Sequence, residues 1–327
     1  MGFLNILVMI NLDQLSQIVN DAIASLEYPK EPAGLYEPIE YTLRSGGKRL
    51  RPVLCLAACK AVCGDELIAL QQALAVDMFH NFTLIHDDVM DRSDKRRGRL
   101  TVYAKWGDVQ AILSGDALLT MATQKATDCV PEAMPHVLRL FNRTAMEVYE
   151  GQQYDMDFEN RDDVTVDEYL KMIRLKTSVL LGCAASMGAL MASADEATRE
   201  AFYTYGADLG VAFQLRDDWL DTFGDPDIFG KQIGGDIANR KKTWLFITAM
   251  NEAPGAMAKA LSDNPGRDNL VAAVTEVYNS LELSRRCDEL IMKYCDRACH
   301  ALNSAKIGDN DRQWFVELAH KLCSRNV

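Results

Sequence analysis

Asn81-Phe-Thr-Leu-Ile-His-Asp-Asp-Val-Met-Asp91 is an apolar run that ends in three carboxylates. The same acid spacing returns at Asp217-Asp218-Trp-Leu-Asp221, behind the apolar flank Gly210-Val-Ala-Phe-Gln-Leu-Arg216. On a helix, positions i and i+4 share a face and i+1 lies about 100° round it, so each run aims carboxylates one turn apart toward one point. Like charges packed this closely repel unless a cation neutralises them, and a set of hard oxygen donors suits Mg²⁺ better than zinc or copper. One such run alone is as well explained by a solvated helix face. Two of them, each behind apolar flanks, predict buried helices that deliver both acid sets to a cavity holding one shared cargo.

Working outward, apolar residues recur at helical spacing in nearly every segment: Leu15, Ile18, Val19, Ala22, Ile23; Leu67, Leu70, Ala73, Leu74; Leu283, Cys287, Leu290, Tyr294. Alternating, strand-like stretches are hard to find. Breaks are expected at Ser45–Gly47, Asp94–Gly98, Asp128–Pro135, Glu159–Asp163, Gly224–Gly235, Ala253–Gly255 and Gly308–Asp311, where Gly, Pro, Asn or Asp cluster. The prediction is an all-α bundle. With no Pro/Gly/Ser-rich linker in 327 residues, it is read as one domain over 1–327, its first ten or so residues outside the ordered part.

Composition narrows the function classes. Acidic residues outnumber basic ones by 47 to 35, for a net charge of −12, which argues against nucleic acid or an anionic membrane as the main partner. The apolar start Met1–Ile10 is too short to span a bilayer and lacks a basic lead and a small-residue cleavage site. Thr177–Ala194 is uncharged throughout but built largely of small residues, so it reads as a packed central helix rather than a transmembrane segment. Nine scattered cysteines form no disulfide framework. Cys55, Cys59 and Cys63 read as a core stripe, and Cys295-x-x-x-Cys299-His300 lacks a second ligand pair nearby for zinc. The expected location is the cytoplasm.

Basic residues matter locally. Arg96-Arg97-Gly98 follows the first acid run in a polar loop, and Gly46-Gly-Lys-Arg-Leu-Arg-Pro52 stands at a glycine turn before a helix, where orphan N–H groups favour anions. Lys176, Lys231 and Lys241 add cations. Two anion pockets beside a metal cluster, with apolar walls, fit two diphosphates that carry hydrocarbon tails.

These stretches, with Gly151-Gln152 and Asp155, Lys176-Thr177, Phe213-Gln214 and Gly230-Lys231 with Gly235-Asp236, resemble in order the trans-isoprenyl diphosphate synthases from about residue 40 to about residue 245. The resemblance implies an isoprenoid synthase fold, a helical bundle around a deep central active-site cavity. It implies a homodimer that condenses isopentenyl diphosphate with an allylic diphosphate (dimethylallyl, geranyl or farnesyl) using three Mg²⁺ ions. Carried over by position, Asp87, Asp91 and Asp217 resemble metal ligands, with Asp88, Asp218, Asp221 and Asp155 supporting them. Arg96, Lys176 and Lys241 resemble the clamps of the allylic diphosphate, with Lys231 beside them. Lys48, Arg51, His80 and Arg97 resemble the isopentenyl diphosphate pocket. Gln152, Thr177 and Gln214 resemble the polar groups near the reacting carbons. Asp77 stands where many members have Glu, outside the expected chemistry, and the tail Cys323–Val327 carries only one basic residue.

Two rival functions differ in recognisable features. A terpene cyclase would carry an Asn/Ser/Glu-type second metal run and no second diphosphate pocket, and a non-catalytic regulatory subunit would have lost one acid run. Both runs are intact here, with Lys48 and Arg51 present. Product length is expected to depend on the stripe one and two turns before Asp87, formed by Phe79, Phe82 and Thr83. At about 1.5 Å per residue the rings lie about 7.5 and 12 Å below the acids, where they can floor the cavity. An aromatic at Phe82 beside Thr83 resembles synthases of fifteen- to twenty-carbon products, and we favour twenty.

Overall fold

Local signals set several helix ends. The Asn11 carboxamide accepts from the Gln14 backbone N–H and starts α1 (Leu12–Ala24), and Thr165 and Glu168 form a reciprocal capping box before α8 (Val166–Ile173). The computed structural model describes residues 10–225, 233–263 and 266–324. The remaining helices are α2 (Ala33–Leu43), α3 (Leu50–Cys63), α4 (Leu70–Met90), α5 (Val102–Trp106), α6 (Asp108–Ala126), α7 (Met134–Glu159), α9 (Val179–Met191) and α10 (Glu196–Phe223). They continue with α11 (Gly235–Ala238), α12 (Trp244–Glu252), α13 (Pro254–Asp263), α14 (Arg267–Ser280), α15 (Leu283–Ala301) and α16 (Asp309–Cys323). The all-α expectation is met. Among the described residues the strands are a single two-residue pair, β1 (Lys95–Arg96) and β2 (Arg99–Leu100).

The chain forms two compact units, each assembled from separate stretches. The first takes residues 1–142, 183–203 and 304–312; the second takes 143–182, 204–303 and 313–327. In the first, α4 packs along α6 and against α3, burying Ala73, Leu74, Met78, Phe79, Phe82 and Ile85. Cys55 and Cys59 lie in this core, but Cys63, read as part of the same stripe, is exposed at the end of α3. In the second, Tyr169, Tyr205, Leu209 and Ile291 are almost fully buried. The continuous helical stretch Val166–Met191 is long and apolar enough to cross a membrane, yet 78% of its most apolar window is buried.

Between α8 and α9 that stretch passes through one π-helical turn, Arg174–Ser178. Such turns leave the regular ladder out of step by a residue and recur at functional sites. This one carries Lys176 and Thr177.

Candidate active site

Both acid runs occupy the last turns of long helices. Asp87 and Asp88 close α4, with Asp91 as its C-cap, while Asp217, Asp218 and Asp221 lie in the final turns of α10. The C-terminal end of a helix already carries partial negative charge, so carboxylates there are doubly disfavoured unless a cation is at hand. The described side chains supply one to each acid group.

In the first unit, Asp88 is buried and paired with Arg96, whose Nη2 lies 2.8 Å and Nε 2.9 Å from Asp88 Oδ1. Burial raises the Asp88 carboxyl above the usual range, with Arg96 pulling against it. Arg96 is held there by the β1–β2 hairpin, whose tip residues Arg97 and Gly98 have φ of 52° and 75°. Two successive positive φ values define the tight hairpin turn that matches strand twist.

The basic pocket of the same unit is built on the N-terminus of α3. Arg97 Nη1 donates to the Gly46 carbonyl, and a side chain at Gly47 would meet the Arg97 guanidinium at 2.8 Å. Arg51 Nη1 lies 3.2 Å from His80 Nε2. Burial, then Arg51, Arg97, Arg96 and Arg49 in turn, holds His80 well below the usual histidine range, so its imidazole is neutral. Four guanidinium groups focused on one histidine form a concentrated anion-binding field. Lys48 is exposed beside them.

Asp77 is nearer this chemistry than its sequence position indicated. Its carboxylate pairs with buried Arg49 at 2.6 Å, and Arg49 also donates to the Leu43 carbonyl at 2.5 Å. Arg49 stands between Lys48 and Arg51 with φ of 45°, so Asp77 fixes the strained turn that presents both. The stripe before Asp87 is aromatic and continuous: Phe79 meets Phe82 and Phe141 edge-on at 5.5 Å, and Phe82 meets His86 at 4.7 Å. Thr83 is half-buried, its hydroxyl donating to the His80 carbonyl at 2.8 Å.

In the second unit, Asp218 accepts from the buried Tyr169 hydroxyl, from Gln214 Nε2 at 3.0 Å and from Lys241 Nζ at 3.5 Å. The Gln214 amide is thereby oriented, and its Oε1 accepts from Thr177 Oγ1 at 3.2 Å. Lys176 Nζ lies 2.5 Å from Asp155 Oδ2. A side chain at Gly151 would meet the Lys176 backbone N at 2.2 Å, so only glycine lets α7 approach the π turn this closely. Gln152, half-buried, follows it on α7.

Asp221 accepts from the Asp236 backbone N–H at 2.8 Å. Asp236 also lies 3.5 Å from Lys241. Burial pushes the Asp236 carboxyl up to about 7, opposed by Lys241 and assisted by Asp218 and Asp221. Burial pulls Lys241 down but is outweighed by Asp218, Asp236 and Asp155, which hold its ammonium above the usual lysine range. Lys231 lies outside the described residues, as do the first nine residues and the last three.

Sequence reasoning missed Arg49, Tyr169 and the π turn. Arg49 was hidden in a basic run whose members look alike, and no local pattern marks a tyrosine that reaches an aspartate 49 positions on.

The sequence profile of the polyprenyl synthetase family matches residues 32–281. The chain is 42% identical over 239 residues to a geranylgeranyl pyrophosphate synthase of Geoglobus acetivorans, covering 72% of this chain and 75% of that one. It is 41% identical over 289 residues to a (2E,6E)-farnesyl diphosphate synthase of Mycobacterium bovis, covering 86% and 80%. Among solved structures, a geranylgeranyl pyrophosphate synthase superposes with a TM-score of 0.92 at 40% identity, covering 96% of this chain and 99% of that one. A profile match over most of the chain, joined to relatives of this identity and coverage, establishes that the chain belongs to the polyprenyl synthetase family.

Proposed function

We propose that this protein is a Mg²⁺-dependent trans-prenyltransferase that condenses isopentenyl diphosphate with an allylic diphosphate and releases diphosphate, making a geranylgeranyl or farnesyl chain. The observation that carries the reading is the pairing of carboxylates with phosphate-type cations: Arg96 on Asp88, Lys176 on Asp155, Lys241 on Asp218. Each pair can exchange partners, the carboxylate toward a divalent ion and the cation toward a phosphate oxygen. The donors fit Mg²⁺, because Asp87, Asp88, Asp91, Asp217, Asp218 and Asp221 offer only hard carboxylate oxygens at negative helix ends.

When bound, Mg²⁺, expected as three ions, neutralises the allylic diphosphate so that its carbon–oxygen bond ionises. Arg96, Lys176, Lys241 and Lys231 hold that diphosphate. Lys48, Arg51, His80 and Arg97 hold isopentenyl diphosphate, whose double bond attacks the allylic carbon. Thr177 and Gln214, locked to each other, direct oxygen dipoles that favour a carbocation without capturing it, with Gln152 beside them. Apolar walls exclude water that would quench the cation, Phe82 and Phe79 limit the tail, and the departing diphosphate takes the proton.

The residues 1–327 act as one such domain in the cytoplasm, in keeping with nine cysteines that form no disulfide among the described residues. A homodimer is supported by α6, which exposes Val109, Ile112 and Leu113 on one face, Val109 at 74%. Incubating the protein with Mg²⁺, labelled isopentenyl diphosphate and each allylic diphosphate, then separating products by chain length, tests the reading. Absence of any longer prenyl diphosphate overturns it.

A further inference from the structure

On α15, Cys295 and Cys299 stand one helical turn apart on one face, and α16 brings His320 against them. The two Sγ atoms and an imidazole nitrogen all lie within 4.8 Å of one another, with Cys295 Sγ 4.0 Å from His320 Nδ1. Around a zinc ion, sulfur and nitrogen ligands at about 2.3 and 2.1 Å stand roughly 3.5 to 3.8 Å apart, so closure needs side-chain shifts of about an ångström or less. The second ligand pair missing from the linear spacing thus comes from the last helix. His320 takes the place that His300, adjacent to Cys299, could be thought to hold. A fourth donor is near, since the buried Cys323 thiol is hydrogen-bonded to Cys295.

We propose that Cys295, Cys299 and His320 form a binding site for a divalent cation of the zinc class, which fastens α16 to α15. The donor set is soft and borderline, two sulfurs and an imidazole, and so selects against the Mg²⁺ that suits the aspartates. Cys295 is fully buried, Cys299 partly, and His320 exposed, which leaves an entry path from solvent. Each thiol gives up its proton on ligation, and His320 offers an imidazole lone pair. The site also connects to the second acid run, because Arg216 donates to the Cys323 carbonyl at 2.7 Å and directly precedes Asp217. A cation here would hold that anchor without touching substrate.

Cobalt substitution on the full chain, stripped of metal and kept reduced with a phosphine, tests this. One equivalent of Co²⁺ should give tetrahedral d–d absorption with a thiolate-to-cobalt charge-transfer band, and added Zn²⁺ should abolish both. Cobalt held by the aspartates gives no thiolate band, so the two sites are told apart. Cys299→Ser should lose the band, and His320→Gln, at an exposed side chain that folding does not need, should weaken binding by more than roughly tenfold. Zn²⁺ should raise the thermal midpoint of the wild type but not of His320→Gln. A saturated wild type without the thiolate band, or a band unchanged in both variants, overturns the proposal.

Discussion

His80 shows what a crowded positive pocket does to one side chain. Its imidazole is pushed below the histidine range by burial and four arginines, so the unfolded chain binds a proton at pH values where the folded chain does not. Stability then rises with pH in that window, and is lost as pH falls below about 6.5 toward the depressed folded value. His80→Gln removes this dependence. Urea midpoints measured from neutral to mildly acid pH should fall less steeply in the variant than in the wild type.

The arginines of the same pocket divide by partner. Arg97→Ala and Arg51→Ala should raise KM for isopentenyl diphosphate, each by about 1.5–3 kcal/mol of charged contact, with kcat changed less. Arg96→Ala should instead weaken the allylic substrate. It also strips buried Asp88 of the guanidinium that holds it. Initial rates with each substrate varied in turn separate the cases, and identical substrate dependence for Arg96→Ala and Arg97→Ala would refute the division. Asp87→Ala or Asp217→Ala should lower kcat by several orders of magnitude with the circular dichroism of the fold intact, because each removes an acid whose charge matters most as diphosphate leaves.

At the scale of the element, the sequence was legible where a helix carries its own pattern. The runs 81–91 and 210–221 announced two helices and the acids at their ends, and Gly46–Pro52 announced an anion-binding turn. It was opaque where function depends on how two elements meet. Nothing near Lys176 marks a π turn, because such a turn arises from tertiary packing rather than from propensity. Gly151 is the outward sign of it. Gly151→Ala should destabilise the protein by about 1–3 kcal/mol, since the new methyl meets backbone rather than a side chain that can swing away. The Lys176–Asp155 pair should shift with it, so kcat should fall alongside the thermal midpoint. The aromatic stripe on α4 makes a different test: Phe82→Ala should lengthen the product, read by chromatography, and an unchanged product rejects Phe82 as the floor.

For the whole molecule, the acidic net charge and the local basic pocket are compatible because four arginines, Arg49, Arg51, Arg96 and Arg97, are gathered around one histidine. The exposed face of α6 was not singled out from the sequence, and only the exposure of Val109, Ile112 and Leu113 in the fold distinguishes them. Leu113→Glu should place a charge in the proposed subunit contact and move the protein to the monomer position on gel filtration.

The π turn also bears on how this chain can change length. Substitutions within Arg174–Ser178 alter single side chains, but deleting Leu175 would regularise the whole stretch Val166–Met191 into one α-helix. Every residue upstream would then rotate by about 100° relative to α9. Tyr169, upstream of the deletion, would turn away from Asp218. The reading frame of that one turn, more than the identity of any residue in it, keeps the second acid run supplied with its tyrosine.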